Sequence, residues 1–233
     1  MIYKTDLIEY LQGILNDVPR TINIVSVSNP STGVYSMMVD DIKWLQPSSI
    51  IWIGGVDYTI TLVSGCEVVV TGGTAITAET FNAPEIHFFH GTVKETDITL
   101  RNIQNAMDKT PFLYLMESFT ERFNLDFESS IDRTVDLRIF FATHSNYPEW
   151  VIDDIYNNAL RPMQRLAQTF VDTLNKDVRV EEVLEFQITN LSRFGVYVNN
   201  KGFDASLFQD ILTGVELSIT FEMVKIYPCD NGC

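Results

Sequence analysis

Hydrophobic and polar positions along the chain follow two different periods. Apolar side chains in residues 6–16 recur every three or four positions, which predicts a short amphipathic helix that Pro19 ends. From residue 21 the period shortens to two. Five runs rich in Val, Ile, Thr and aromatic residues predict strands, at residues 21–28, 33–40, 49–54, 57–64 and 66–72. Gly54 and Gly55 separate two of these runs and favour a tight hairpin, so this part predicts a small antiparallel β-barrel or sandwich.

Small and polar side chains replace this pattern at residues 71–83, which we interpret as a connection between two domains. The predicted division is a first domain at residues 1–80, with the N-terminal helix and the β-rich part, and a second domain at residues 81–233.

The second region opens with strands and a helix. Residues 85–91 predict a strand, and residues 96–108 show a moderate helical pattern. Residues 112–116 are apolar on both faces, which is typical of a central strand. Residues 132–142 alternate instead, so they favour a sheet with one packed face and one partly wet face.

The longest helical pattern covers residues 148–175, with an apolar face wide enough to cover a sheet. Pro162 lies inside it, and predicts either a kink near Asn158 or a new helix that begins with the proline. Residues 182–191 and 215–227 predict two more strands, and the segment between them predicts a hairpin with a loop, at residues 194–208. The fold class is therefore α+β.

Charge excludes one broad class of function. The chain has 31 Asp and Glu against 16 Lys and Arg, a formal net charge of −15, whereas proteins that grip DNA or RNA neutralise phosphates with basic side chains. The first twenty residues show no signal-peptide pattern, and no run approaches the roughly 18 apolar residues that a membrane span needs. We therefore expect a soluble protein made in a cytoplasm, with no membrane contact.

The three cysteines do not form an even disulfide framework. Cys229 and Cys233 are spaced as half a metal site, but no His or further Cys lies near them in sequence, so we interpret this end as a frayed tail. Cys66 is expected to be a reduced thiol.

Motifs for nucleotide or hydrolase chemistry are absent, because neither glycine pair is followed by the Lys-Ser/Thr of a phosphate loop and there is no G-x-S-x-G. His87 and His90 resemble a ligand pair, but residues three apart on a strand point to opposite faces, so we expect structural histidines. His144 follows a strand near several acids, and a loop there is a common place for catalytic groups. The simpler interpretation of Asp153 and Asp154 is helix-start electrostatics.

Adjacent carboxylates are also a weak signal for catalysis, because neighbours in sequence diverge on helices and strands. They occur at Asp40 and Asp41, Asp153 and Asp154, and Glu181 and Glu182. The sequence accordingly predicts no catalytic, cofactor-binding or metal-binding residue, no cofactor, and no enzyme activity.

Three aromatic residues of the β-rich part have two interpretations. Trp44, Trp52 and Tyr58 fill the interior in the first, as small barrels ordinarily use such side chains, and form a contact surface in the second. The sequence favours the interior.

Three stretches of the second region, at residues 135–144, 150–174 and 203–223, resemble the neck and tail-terminator proteins of tailed bacteriophages. More loosely, the whole chain is similar to a ring protein from the neck of a crAss-like phage. The resemblance covers residues 85–227. It implies a tail-terminator-like sheet covered by helices, preceded here by an added β-rich domain.

The resemblance also implies a function and partners. The expected protein is a structural virion protein in a head-to-tail connector, neck or tail-terminator ring, with six- or twelve-fold copies around a channel. It would contact the portal, neighbouring neck rings or tail proteins, while DNA passes without specific binding. An acidic lumen would suit this passage because it repels phosphate.

Two other classes stay open from the sequence. One is a cytoplasmic adaptor module that binds another protein, and the other is an enzyme with an unrecognised site. Self-association separates the ring subunit from both, because closed rings need head-to-tail contacts between identical subunits.

Overall fold

The computed structural model describes residues 6–103, 109–125, 131–145, 149–198, 204–206, 208 and 211–226. They form a mixed α+β fold with two large sheets, which confirms the predicted fold class. The predicted division at residue 80 stays a prediction.

The first sheet has six strands in the order β3-β4-β5-β2-β1-β6, and all neighbours are antiparallel. β3 also lies beside β6, so the sheet forms a nearly closed barrel. The strands are β1 (Thr21–Ser31), β2 (Val34–Val39), β3 (Ile50–Ile53), β4 (Val56–Ser64), β5 (Glu67–Thr71) and β6 (Thr80–Asn82). The sequence missed β6, which lies inside the stretch that we interpreted as a connection.

Alternation explains the barrel interior. Tyr35, Met37 and Val39 point inward from β2, and the residues between them face outward. Trp44 is buried, and its indole N–H donates to the Pro84 carbonyl at 3.0 Å. The hairpin between β3 and β4 turns at Gly54, which has φ of +58°, a value that favours glycine, so the predicted tight turn is confirmed.

The second sheet has five strands in the order β11-β14-β10-β8-β7, and β9 pairs with one end of β10. Its pairs are antiparallel except for β7 with β8, whose parallel connection runs through a helix. The strands are β7 (His87–Gly91), β8 (Phe112–Met116), β9 (Thr120–Leu125), β10 (Ile131–His144), β11 (Val180–Phe194) and β14 (Leu212–Ile226). A separate hairpin pairs β12 (Val196–Val198) with β13 (Asp204–Ser206), as the sequence predicts.

The burial pattern of these strands matches their positions in the sheet. β8 is buried on both faces and lies between β7 and β10, which confirms the predicted central strand. β10 alternates between buried Val135, Leu137 and Ile139 and a wetter face with Asp136 and Arg138. The sequence missed β9.

Four α-helices complete the described fold. They are α1 (Leu7–Asp17), α2 (Val93–Asn102), α3 (Ile152–Ile155) and α4 (Arg161–Lys176). Asp6 caps α1 by accepting the Ile8 N–H at 2.9 Å, and Thr92 forms a reciprocal cap of α2 with Glu95. None of the described helices is both long enough and apolar enough to cross a membrane.

α4 covers one face of the second sheet with a stripe of buried side chains. Met163, Leu166, Phe170 and Leu174 are fully enclosed against β10, β11 and β14. Phe170 meets Phe141 edge to face, with ring centroids 5.6 Å apart. The same hydrophobic cluster continues into the barrel interior, so one core joins both regions.

Pro162 changes the helix without ending it. The turn before it, Tyr156–Leu160, is π-helical, and the Arg161 N–H donates to the Tyr156 carbonyl, five residues back. Proline has no N–H with which to continue the ordinary ladder, and a wider turn absorbs this loss. The structure has features of both predicted alternatives, because the helix widens locally around Asn158 and the regular helix α4 begins at Arg161, with Pro162 in its first turn.

Described elements cover the opposite face of the second sheet only at one end. There α2 packs on a smaller cluster whose aromatic members are Phe112, Tyr114, Phe140, Phe194 and Phe208. The rest of this face is largely polar, and no other described element packs on it.

Candidate interaction surface

The free edge of β11 is the longest unpaired backbone edge in the described part of the chain. β11 spans fifteen residues and pairs with β14 along one side, and no described strand pairs with its other side. Leu184 and Phe186 are 47% and 49% exposed on it. Unpaired backbone groups beside exposed apolar side chains are the features by which a sheet edge accepts another chain.

Acidic side chains concentrate at the first half of the same strand. Glu181, Glu182 and Glu185 are exposed, and none has a hydrogen bond or ion pair with any described side chain. Bulges interrupt the pairing on either side of Val183, so these carboxylates do not follow one face in strict alternation. We call residues 181–186, with three free carboxylates and two exposed apolar side chains, the acidic segment.

The outer wall of the barrel carries a second apolar surface. Trp52 is 66% exposed and Val25 is 70% exposed. Met38 and Leu62 are also exposed on neighbouring strands, and Val69 of β5 lies opposite Leu62. Of the three aromatic residues singled out in the sequence, Trp44 and Tyr58 are in the interior as predicted, whereas Trp52 belongs to this outer wall.

A cleft of about 750 Å³ separates the barrel from the π-helical turn and the start of α4. The barrel side contributes apolar groups from Leu45, Leu62 and Val63. The other side contributes Trp150, which precedes α3, and then helical side chains at every third or fourth position, namely Asp154, Asn157, Asn158, Arg161 and Arg165. This side is therefore a polar stripe that alternates with the buried stripe of the same helix.

The three carboxylates of the cleft are held by donors of the chain itself. Asp40 accepts the backbone N–H and the side-chain amide of Asn23, which holds its pKa below the ordinary range. Asp41 pairs with Lys43 at 3.5 Å, and Asp154 accepts the Val151 N–H at 3.2 Å. These contacts leave the two arginines as the free charged groups of the cleft.

A second, shallower trough of about 630 Å³ lies on the open face of the second sheet. Its arginines are already paired. Arg122 bonds to Asp136, which also accepts the Thr220 hydroxyl at 2.8 Å, and Arg138 bonds to Glu216 at 2.6 Å. Cross-strand pairs therefore occupy both arginines of the trough, and its free charge is Glu185, which borders it together with Phe186.

A compact cluster joins α1 to the turn before β11. Arg179 bonds to Asp177 at 2.8 Å and stacks over the Tyr10 ring, with 4.5 Å from the guanidinium carbon to the ring centroid. The hydrogen bond from Arg179 lowers the pKa of Asp177, while burial, followed by the nearby Asp177 charge, raises the pKa of Tyr10. Such a pair with a stacked ring fixes α1 against the second sheet.

The histidines lie apart from one another. His87 and His90 are both on strand β7, as predicted, so they point to opposite faces, and His144 is exposed at the end of β10. Within the described ranges, no group of three His, Cys, Asp or Glu residues is arranged to hold a metal ion. Asp153 and Asp154 lie in the first turn of α3, where the sequence places them.

The cysteines and the adjacent glutamates form no metal-binding site among the described residues. Cys66 is an exposed free thiol in a turn, while Cys229 and Cys233 lie outside the described residues, as does Asn146 beside His144. Glu181 and Glu182 are both exposed at a bulge of β11.

The sequence missed both the cleft and the free edge. Arg161 and Arg165 could have pointed to the cleft, since they lie four residues apart on a predicted helix in a chain with few cations.

No protein-family model matches the chain, and no curated protein sequence matches it either.

Proposed function

We propose that the protein is a structural virion protein, a subunit of a head-to-tail connector, neck or tail-terminator ring through which a phage genome passes. One observation carries this proposal. β11 presents a fifteen-residue edge without a partner strand among the described residues, with Leu184 and Phe186 half exposed on it. Bulges and carboxylates interrupt the first half of this edge, and the exposed backbone and apolar side chains beside them are able to accept another chain.

The arrangement of the second sheet supports head-to-tail contacts. β11 forms one edge, and β7, which pairs only with β8 among the described strands, forms the other. Opposite edges of one sheet are different surfaces, and contacts between different surfaces of identical subunits generate rings when the rotation closes. The outer wall of the barrel, with Trp52 and Val25, supplies a further surface for a neighbouring ring.

Charge supports the passage of DNA without binding. The net charge of −15 makes most orientations of the subunit repel phosphate, so a channel lined by such a surface does not hold the genome. Under this proposal the portal, neighbouring neck rings or tail proteins are the partners.

Size-exclusion chromatography with light scattering, followed by negative-stain electron microscopy, tests the proposal. The expected result is a closed ring of several copies. The variant L184E/F186E should reduce assembly, because it places two additional charges on an acidic edge. The matched control is I152E/V178E, which introduces the same charges at two residues that are 83% and 89% exposed outside the sheet.

A folded wild-type protein that remains monomeric at about millimolar concentration, alone and with other neck components, contradicts the proposal. A monomer that instead binds one unrelated protein through β11 would favour the adaptor function. The edge supports that second function too, because strand addition serves transient recognition as well as assembly.

A further inference from the structure

Arg161 and Arg165 differ from the other arginines of the described chain. Five of those bond to a carboxylate, namely Arg101, Arg122, Arg133, Arg138 and Arg179. Arg20 donates to the Ala83 carbonyl, and Arg193 also has a partner. The side chains of Arg161 and Arg165 form no hydrogen bond or ion pair with any described residue. In a chain with almost two acids for each base, two adjacent free arginines are therefore a distinctive feature.

The helix places both arginines on one wall of the cleft. They are four residues apart and so lie on the same side of α4, directly after the π-helical turn. Arg161 is exposed and Arg165 is half-buried. Arg161, Arg165 and the amide of Gln164 also border a smaller neighbouring cavity beside Asn190 of β11. The pair can thus receive a ligand from solvent without a change in the fold.

The rest of the cleft selects a protein segment over a nucleic acid. Its three carboxylates balance its three cations, so it offers no net positive charge to a polyphosphate. Leu45, Leu62 and Trp150 contribute apolar walls. A cleft with apolar walls and two free guanidinium groups matches a segment that carries both apolar side chains and carboxylates, because guanidinium groups bind carboxylates through paired hydrogen bonds.

The acidic segment of β11 has this composition. It combines three free carboxylates, Glu181, Glu182 and Glu185, with the exposed side chains of Leu184 and Phe186. We propose that Arg161 and Arg165 receive the acidic segment of a second copy of this chain. The inference rests on the proposed function, since it names the contact by which identical subunits associate.

The pairing is head to tail, because the cleft and the acidic segment are different surfaces of one chain. Repulsion between two chains of charge −15 opposes their approach at long range, but at physiological ionic strength charges are screened beyond roughly 8 Å. Close arginine–carboxylate pairs then determine the register of association.

Charge reversal tests the contact. R161E/R165E should weaken self-association at least about tenfold, as measured by sedimentation equilibrium, because like charges replace two attractive pairs. K94E/K176E makes the same change in net charge at exposed cations outside the cleft and should leave association unchanged. Circular dichroism and thermal unfolding establish that both variants are folded.

A variant that exchanges the charges on both sides of the contact makes the test specific. R161E/R165E/E182R/E185R restores complementarity within each head-to-tail contact and should recover association to within about threefold of the wild type. R161E/R165E/D57R/E79R has the same net charge, but its new arginines lie outside β11, so it should remain impaired.

Cross-linking identifies the partner directly. The R165K variant is prepared in ¹⁴N and ¹⁵N forms, and the mixture is treated with a zero-length carbodiimide. We expect cross-links between isotopically different copies that join position 165 to Glu181, Glu182 or Glu185. Two results overturn the inference alone: wild-type rings that R161E/R165E leaves intact, or cross-links from position 165 only to other carboxylates. A wild-type protein that stays monomeric under all conditions overturns the proposed function as well.

Discussion

The two sheets of this protein solve the problem of unpaired edges in opposite ways. The barrel nearly closes on itself, with β3 beside β6, and most of its backbone groups find partners within the sheet. The second sheet stays open and ends on β11, which is longer than any barrel strand. The second sheet therefore offers the longer free edge for strand-mediated association, while in the barrel the end of β1 beyond Ile24 has no second partner strand among the described residues.

The hydrophobic core connects these two regions, and removal of a large core side chain should reveal whether they unfold together. F170A removes a fully buried ring beneath the second sheet and should lower the free energy of unfolding by about 4 kcal/mol. In a W150F background the fluorescence of Trp44 and Trp52 reports on the barrel, and far-UV circular dichroism reports on the whole chain. We expect both transitions to shift together. A fluorescence transition that F170A leaves in place would show that the barrel unfolds independently.

Close packing at one glycine in each region leaves no room for an added methyl group. A Cβ added to Gly214 of β14 would overlap the Phe141 carbonyl and lie 2.8 Å from the Ala142 Cα, both of which are backbone atoms in a central strand. G214A should therefore cost about 3 kcal/mol in chemical denaturation. In the barrel, a Cβ at Gly72 would overlap the ring of Tyr58, which is buried and whose hydroxyl donates to the Thr74 carbonyl at 2.8 Å, so G72A should cost a similar amount. A loss below about 1 kcal/mol at either position would contradict this packing.

A buried hydrogen bond joins the regions at one point and permits a double-mutant test. The Gln46 side-chain amide, from the barrel side, donates to the Thr143 hydroxyl of β10 at 2.6 Å. T143V removes the acceptor and leaves a buried donor unpaired, at a cost of about 2 kcal/mol. Q46L/T143V removes both polar partners and should cost less than T143V alone. Additive effects in equilibrium unfolding would show that the two side chains do not interact.

The smallest expected effect concerns the cluster that fixes α1 to the second sheet. The pKa of Asp177 is depressed in the folded protein by its bond to Arg179, so this group stabilises the fold above its unfolded pKa and loses that contribution as the pH falls through the folded value. D177N should lower stability by about 0.5 kcal/mol at pH 7, and by less at pH 3. Unfolding curves at the two pH values measure the difference. An equal loss at both would assign the effect to packing with Tyr10.

Local sequence patterns predicted most elements because their physical causes are local. The amphipathic spacing of α1, the doubly apolar β8 and the glycine turn after β3 each depend on a few consecutive residues. β6 and β9 were missed because both are short and weakly patterned, and they are strands only because β1 and β10 present edges for them.

The interaction surface was far less predictable. Trp52 has the composition of a core residue, and only the register of β3 turns it outward. The edge of β11 is free because no described strand follows it in the sheet order, a fact that no property of its own residues indicates.

The sequence by itself determined the fold class, the period of each main element, the acidic balance and an interruption of the long helix near Pro162, because these follow from composition and from contacts between near neighbours along the chain. Only the tertiary structure decided that Arg161 and Arg165 would face a cleft and that the acidic segment would lie on a sheet edge, both without partners among the residues that the structure describes. Strand order and the docking of a helix on a barrel depend on contacts between residues far apart in sequence, which local periodicity does not encode.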